Sequence, residues 1–260
     1  GYWGNDILVN KFGQFEVAGQ HVVDADDVDM AHRVYNYTPG DDQLTTSVGL
    51  TYGSLDQIDV ASAIVENVDG TVTLVGTLTD KDGVHAAAVR LDAQHQVVEA
   101  AGWPFRSPIF NFEVAGALDG AIDAGANLHL TGWWRKTEND ASQVMTLTVD
   151  PQGNLIGGVT VEQTLEKVDN VGLGIASLGD DTVVVAASIT SGPGDHDIWL
   201  RRYPQEGTTV FQGAYHLLDE PRRVRANAFD QVLVVGFETI VVLQDGQPVQ
   251  TRRAWLQAFN

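Results

Sequence analysis

The chain has no cysteine, which excludes disulfide bonds, thiolate metal centres and cysteine nucleophiles together. It is also short of positive charge: fifteen Lys and Arg residues, only four of them Lys, stand against thirty-five Asp and Glu, for a formal charge of −20. Such a molecule repels nucleic-acid phosphates and anionic lipid, so neither is expected as a partner. No window reaches the roughly eighteen uninterrupted apolar residues of a membrane span. The opening Gly1-Tyr2-Trp3-Gly4-Asn5-Asp6 has neither the basic nor the apolar region of a signal peptide, so any such peptide is expected to have been removed or never to have existed. With twenty-five Asp and few Lys, the composition leans towards an exported protein, extracellular or periplasmic.

What is present is periodic. Five alternating segments end in a small residue: QFEVAG (14–19), TVTLVG (71–76), NLHLTG (127–132), TVVVAA (182–187) and QVLVVG (231–236). Their last residues, Gly19, Gly76, Gly132, Ala187 and Gly236, are 57, 56, 55 and 49 positions apart. Around each lie a preceding strand and an Asx/Gly turn, a polar loop, a third strand such as HAAAVRLD (85–92) or DIWLRRY (197–203), and a second turn leading to a fourth strand. Units of this size, unable to bury both sheet faces alone, close around an axis. The spacing therefore predicts an all-β, single-domain five-bladed propeller over 1–260 with four antiparallel strands per blade, the blades near 1–52, 53–108, 109–165, 166–218 and 219–260. A pair of β-sandwiches is the alternative. Longer loops, among them 102–112 and 161–170, gather on one face, where function is sought.

The phrase GIASLGDDTVVVAAS followed by GPGDHDIWLRRYPQEG, in 174–207, resembles the bacterial SBBP-type β-propeller repeat, and 117–150 repeats it more faintly. The resemblance implies a propeller that is typically exported. It implies no fixed activity and no catalytic residue.

Acids recur in the loops between second and third strands: Asp24, Asp26, Asp27 and Asp29, then Asp80 and Asp82, Glu138 and Asp140, Asp195 and Asp197. Carboxylates one residue apart suit a hard cation such as calcium, for which Asp24, Asp26, Asp29, Asp80 and Asp82 are the candidates. The plainer reading is that these acids cap turns and protect strand edges. A second set, Asp59, Glu113, Asp169 and Glu220, begins each first strand and could ring the channel mouth, binding a cation or ligand or working as acid and base on a glycosidic bond. Asp6, Asp59 and Glu113 on the first three blades are similar in order to the acids of five-bladed arabinanase-type glycosidases. Strand-end acids in water are the alternative.

Trp103, Trp133 and Trp134 flank the loop-rich face and could offer a platform for a sugar ring, or simply pack. The seven histidines include no HExxH pair; His21, His85 and His196 would meet only if their loops fold inward, and His129 is read as packed. Arg222, Arg223, Arg225, Arg252 and Arg253 leave the last repeat locally basic, either a solvated edge or a surface for self-association. The sequence thus predicts a non-enzymatic propeller binding a glycan or protein surface, with calcium as a possible loop-ordering ion. A glycoside hydrolase using Asp6, Asp59 and Glu113 is the alternative, and a pure assembly module the third reading.

Overall fold

The computed structural model describes residues 1–38, 40, 43–100, 102–108, 113–162, 168–179, 182–192, 195–203, 208–211, 219–227, 229–244 and 247–259. Among the described residues nineteen strands form five antiparallel sheets, and there is no helix. The first sheet holds β1 (Tyr2–Val9), β2 (Phe15–Val22), β3 (Val28–Thr38) and β4 (Gln43–Tyr52), in that order. The second holds β5 (Val60–Glu66), β6 (Val72–Asp80), β7 (Gly83–Arg90) and the two-residue β8 (Phe105–Arg106). The third is β9 (Val114–Ile122), β10 (Leu128–Arg135), β11 (Gln143–Val149) and β12 (Leu155–Glu162), and the fourth β13 (Val171–Ser177), β14 (Val183–Gly192), β15 (Asp195–Tyr203) and β16 (Thr208–Phe211). The fifth has three strands among the described residues, β17 (Asp219–Ala226), β18 (Val232–Gln244) and β19 (Gln247–Phe259). The molecule is a five-bladed β-propeller. Among the described residues the last blade shows three strands where four are expected, with β18 and β19 thirteen residues long each.

One turn recurs throughout. Asn10, Asn67, Asp92, Asp123, Asp150 and Asn227 each donate their N–H to the carbonyl four residues on and accept the N–H of the residue three on. The Asn and Asp side chains hold these turns shut; the Asp150 carboxylate, for instance, accepts the N–H groups of Gln152 and Asn154. An Asx residue is chosen here because its short side chain substitutes for the backbone partner a tight turn cannot supply.

Neighbouring blades are joined by apolar cores. Ala18 and Met30 meet Leu74 and Leu91 between blades 1 and 2, Val75 and Ala88 meet Leu130 and Met145 between blades 2 and 3, Val144 meets Val185 and Trp199 between blades 3 and 4, and Ala186 and Leu200 meet Val224 and Val234 between blades 4 and 5. At the seam between blades 5 and 1 the described residues form no such cluster, and Trp3, Ile7 and Val9 of β1 stay exposed, as do Leu243 and Leu256 of the last hairpin.

Candidate active site on the propeller axis

The first strands, β1, β5, β9, β13 and β17, sit at the inner edge of their sheets, and contacts between blades run largely through them. Each carries a β-bulge at the same place. Asn5, Ser62, Leu118, Leu173 and Arg222 are the extra residues, beside pairs made by Gly19, Gly76, Gly132, Ala187 and Gly236 on the second strands. This explains the small residues that close the sequence repeat: a Cβ on Gly19, Gly76, Gly132 or Gly236 would run into a backbone carbonyl of the first strand, respectively that of Trp3, Val60, Gly116 or Glu220.

A bulge bends its strand and re-aims the next side chain. The residues just after the five bulges are Asp6, Ala63, Asp119, Gly174 and Arg223, charged on blades 1, 3 and 5 and small on blades 2 and 4. The three charges meet. Arg223 Nη2 lies 2.8 Å from Asp6 Oδ1, and Nη1 lies 3.6 Å from Asp119 Oδ1. Arg225, two residues on, places Nη1 3.5 Å from Asp119 Oδ2. The small blades contribute backbone: Asp6 Oδ2 accepts the N–H of Ile64 at 3.1 Å, and Asp119 Oδ2 that of Ile175 at 3.1 Å. All five blades therefore touch one cluster.

Burial differs sharply within it. Asp119 is 1% exposed and Asp6 8%, whereas Arg225 is half exposed. Burial pushes the Asp119 carboxyl above the usual carboxylate range, against the opposing pull of Arg225, Arg223 and the Ile175 N–H. Asp119 Oδ1 has no hydrogen-bond partner. The cluster thus combines a carboxyl biased to keep its proton with a second carboxylate ion-paired beside it, the two kinds of group that acid–base chemistry separates.

Of the acids expected at the axis, Asp6 is there. Asp59 is fully buried elsewhere, accepting the N–H groups of Ser54 and Thr79, each at 2.6 Å, and burial followed by the charge of Asp29 raises its carboxyl. Asn170 and Asp219 occupy the matching positions on blades 4 and 5, taking the N–H groups of Thr190 and Thr239. Asp169 is exposed, and hydrogen bonds from Ser142 hold its carboxyl below the usual range. Glu220 pairs with Arg222 at 3.2 Å. Glu113 lines a cleft of about 390 Å³ with Trp134, Met145 and Val159. Trp103 packs with Trp134 against the core between blades 2 and 3 and donates its indole N–H to Pro151 O; Trp133 covers Gly116 beneath the Arg135 guanidinium.

The acidic loops are tied up locally. Asp24 accepts the N–H of Asp26, and Asp80 accepts that of Asp82 while also facing His85. Asp29 approaches Gly53 beside Asp59. Among the described residues these acids do not bring three ligand atoms within 4.8 Å of one another. His21 stacks on Tyr2, His85 bonds Ser107 and Asp80, and His196 faces Ser188, so the three histidines stay in their own blades. His216, the side chain of Asp195 and the loop segments 109–112 and 163–167 lie outside the described residues. The basic last repeat turns partly inward: Arg223 and Arg225 serve the axis, Arg222 and Arg252 lie over the Phe237 ring, and Arg253 pairs with Glu238. Asp119 was not singled out from the sequence, although its position two residues after Ala117, the partner of the repeat-closing Gly132, matches that of Asp6 after Gly4.

No family model matches the chain, and no curated protein matches it. Among solved structures it is similar to a protein of unknown function from Dyadobacter fermentans DSM 18053, with a TM-score of 0.60 and 12% identity over 96% of this chain and 74% of that one. A glucose dehydrogenase matches with a TM-score of 0.54 and 9% identity over 88% and 76%. An endo-arabinase from Bacteroides thetaiotaomicron VPI-5482 matches with a TM-score of 0.51 and 12% identity over 100% and 94%. At these identities the likeness is one of fold. The expectation of a non-enzymatic binding module is corrected to the extent that two of these propellers are named as enzymes, so the fold is one that enzymes use.

Proposed function

We propose that the protein is a glycan-cleaving hydrolase whose acid–base pair is Asp119 and Asp6. The observation that carries this reading is the convergence of both carboxyls on the single guanidinium of Arg223, with burial raising the Asp119 carboxyl above the usual carboxylate range. Asp119 gives its proton to the glycosidic oxygen as the bond to the anomeric carbon breaks; water adds there and its proton passes to Asp6. Arg225, the most exposed member, is the group an arriving hydroxyl-rich substrate meets first. The fold supports the reading to the extent that the endo-arabinase shares it along the whole chain. The SBBP-type resemblance of 174–207 speaks for blade architecture and export, and adds no residue to the chemistry. Calcium in the acidic loops and a glycan-facing role for the tryptophans are secondary parts of the same proposal.

The test is release of reducing ends from a panel of arabinans, xylans and glucans by the purified chain. Asp119→Asn should lower the rate by a factor of about 100 to 10,000, the usual worth of a general acid, while Tm stays within a few degrees. No release from any polysaccharide by the wild type, or equal rates for the variant, would overturn the assignment and leave the cluster as a closure of the ring.

A further inference from the structure

Away from the axis, three side chains from two blades converge on one point. Glu16 on β2 and His32 on β3 are diagonal neighbours on one face of the first sheet, since Ala18 pairs with His32 and Glu16 with Val34. That face packs against blade 2 through Ala18 and Met30. His95 arrives from blade 2, in the Asx turn that follows β7. Glu16 and His32 are 2% and 0% exposed, so the pair is withdrawn from water.

Glu16 and His32 are hydrogen-bonded to each other, and the His95 ring stacks on His32 with centroids 5.3 Å apart. Glu16 Oε2 is 2.9 Å from His32 Nε2 and 3.8 Å from His95 Nδ1, and the three ligating atoms all lie within 4.8 Å of one another. The longer separation exceeds a hydrogen bond, and His95 Nδ1, although buried, has no hydrogen-bond partner. Two ligands bound at about 2.1 Å to one tetrahedral zinc ion stand about 3.4 Å apart, close to what is seen here. A supporting shell is present as well: Asn10 Nδ2 donates to Glu16 Oε1 at 2.7 Å and to Gln14 Oε1 at 3.0 Å, which fixes the carboxylate.

His95 holds φ at +58° three residues into its turn, a place taken by Gly13, Gly70 and Gly153 in other turns and by Ala126 and Asp230 in two more, so a glycine suits this position.

We propose that Glu16, His32 and His95 bind one first-row divalent cation, zinc in the first instance, which ties the turn of blade 2 to the sheet of blade 1. Two imidazoles and one carboxylate suit zinc and disfavour calcium or magnesium, which take oxygen ligands. The site is independent of the axis chemistry.

The test uses the full chain, stripped with chelator and then titrated with zinc sulfate, with calcium chloride in parallel. Zinc should bind with one-to-one stoichiometry by calorimetry and raise Tm by about 5 to 10 °C at a hundredfold excess over Kd, while calcium at equal concentration does not reproduce it. Cobalt(II) in place of zinc should give the intense visible bands of a four-coordinate site. His95→Gly separates this from binding elsewhere, because glycine suits the turn. The variant should fold at least as stably as the metal-free wild type yet lose the zinc response and the cobalt bands. No zinc binding by the wild type, or a response that survives in His95→Gly, would overturn the proposal.

Discussion

Arg223 and Asp6 meet at 2.8 Å across the one seam of the propeller that has no apolar core among the described residues. The first inner strand and the last are therefore joined by charge. Arg223→Met would leave Asp6 unpaired and Asp119 with Arg225 alone, and losing one partner of a largely buried ion pair costs about 3 kcal/mol. Urea unfolding should show the midpoint fall accordingly. Adding Asp6→Asn to this variant should recover part of the loss, whereas strictly additive effects would show that the two residues do not act together.

Asp59 gives a prediction with a pH signature. Its carboxyl is raised by burial and by Asp29, and the equivalent residue on blade 4 is Asn170, whose side-chain oxygen accepts Thr190 N–H just as Asp59 accepts Thr79 N–H. An amide therefore fits this position. Because the folded state holds the Asp59 proton more tightly than the unfolded chain, the contribution of this group falls as pH rises from 3.8 through the higher folded value. Asp59→Asn should gain on the wild type as pH rises from about 3.8 towards neutrality, when thermal unfolding is followed across that range. A constant difference would contradict the shift.

The repeat-closing glycines are expected to be intolerant of even one methyl. At Gly132 a Cβ would collide with the carbonyl of Gly116 and with Ala117 Cα at 2.9 Å, both backbone atoms of the bulged strand. Gly132→Ala should destabilise by about 2 to 3 kcal/mol, as overpacking against rigid backbone does. Ala187, which already carries the methyl at this position, is the control: Ala187→Gly should cost only about 0.5 to 1 kcal/mol. Circular dichroism melts would rank the two.

The blade repeat was legible because each blade uses the same turn, the same alternation and a small residue where the bulge presses on its neighbour. The acids were less legible because the offset that picks them out, counted back from the repeat-closing residues, is irregular. Asp59 lies 17 residues before Gly76, and the same offset from Ala187 and Gly236 selects Asn170 and Asp219 rather than Asp169 and Glu220, while Asp119 matches Asp6, the residue after the bulge. The last arginines read as a basic surface because no local pattern says that Arg223 will cross the ring to Asp6. Glu16, His32 and His95 could not be gathered from the sequence, since the third lies on a different blade and only packing brings it near.

Among the described residues every sheet is made of strands that follow one another in the chain. Synthesis order is consequently the same as spatial order. Blade 2 can dock on blade 1 as soon as it leaves the ribosome, and three further dockings each bury an apolar core, but the final step joins two surfaces with only an ion-paired cluster to guide them. A nascent chain halted before β17 would present Asp6 and Asp119 without Arg223 and Arg225, so the last blade completes the cluster on the axis.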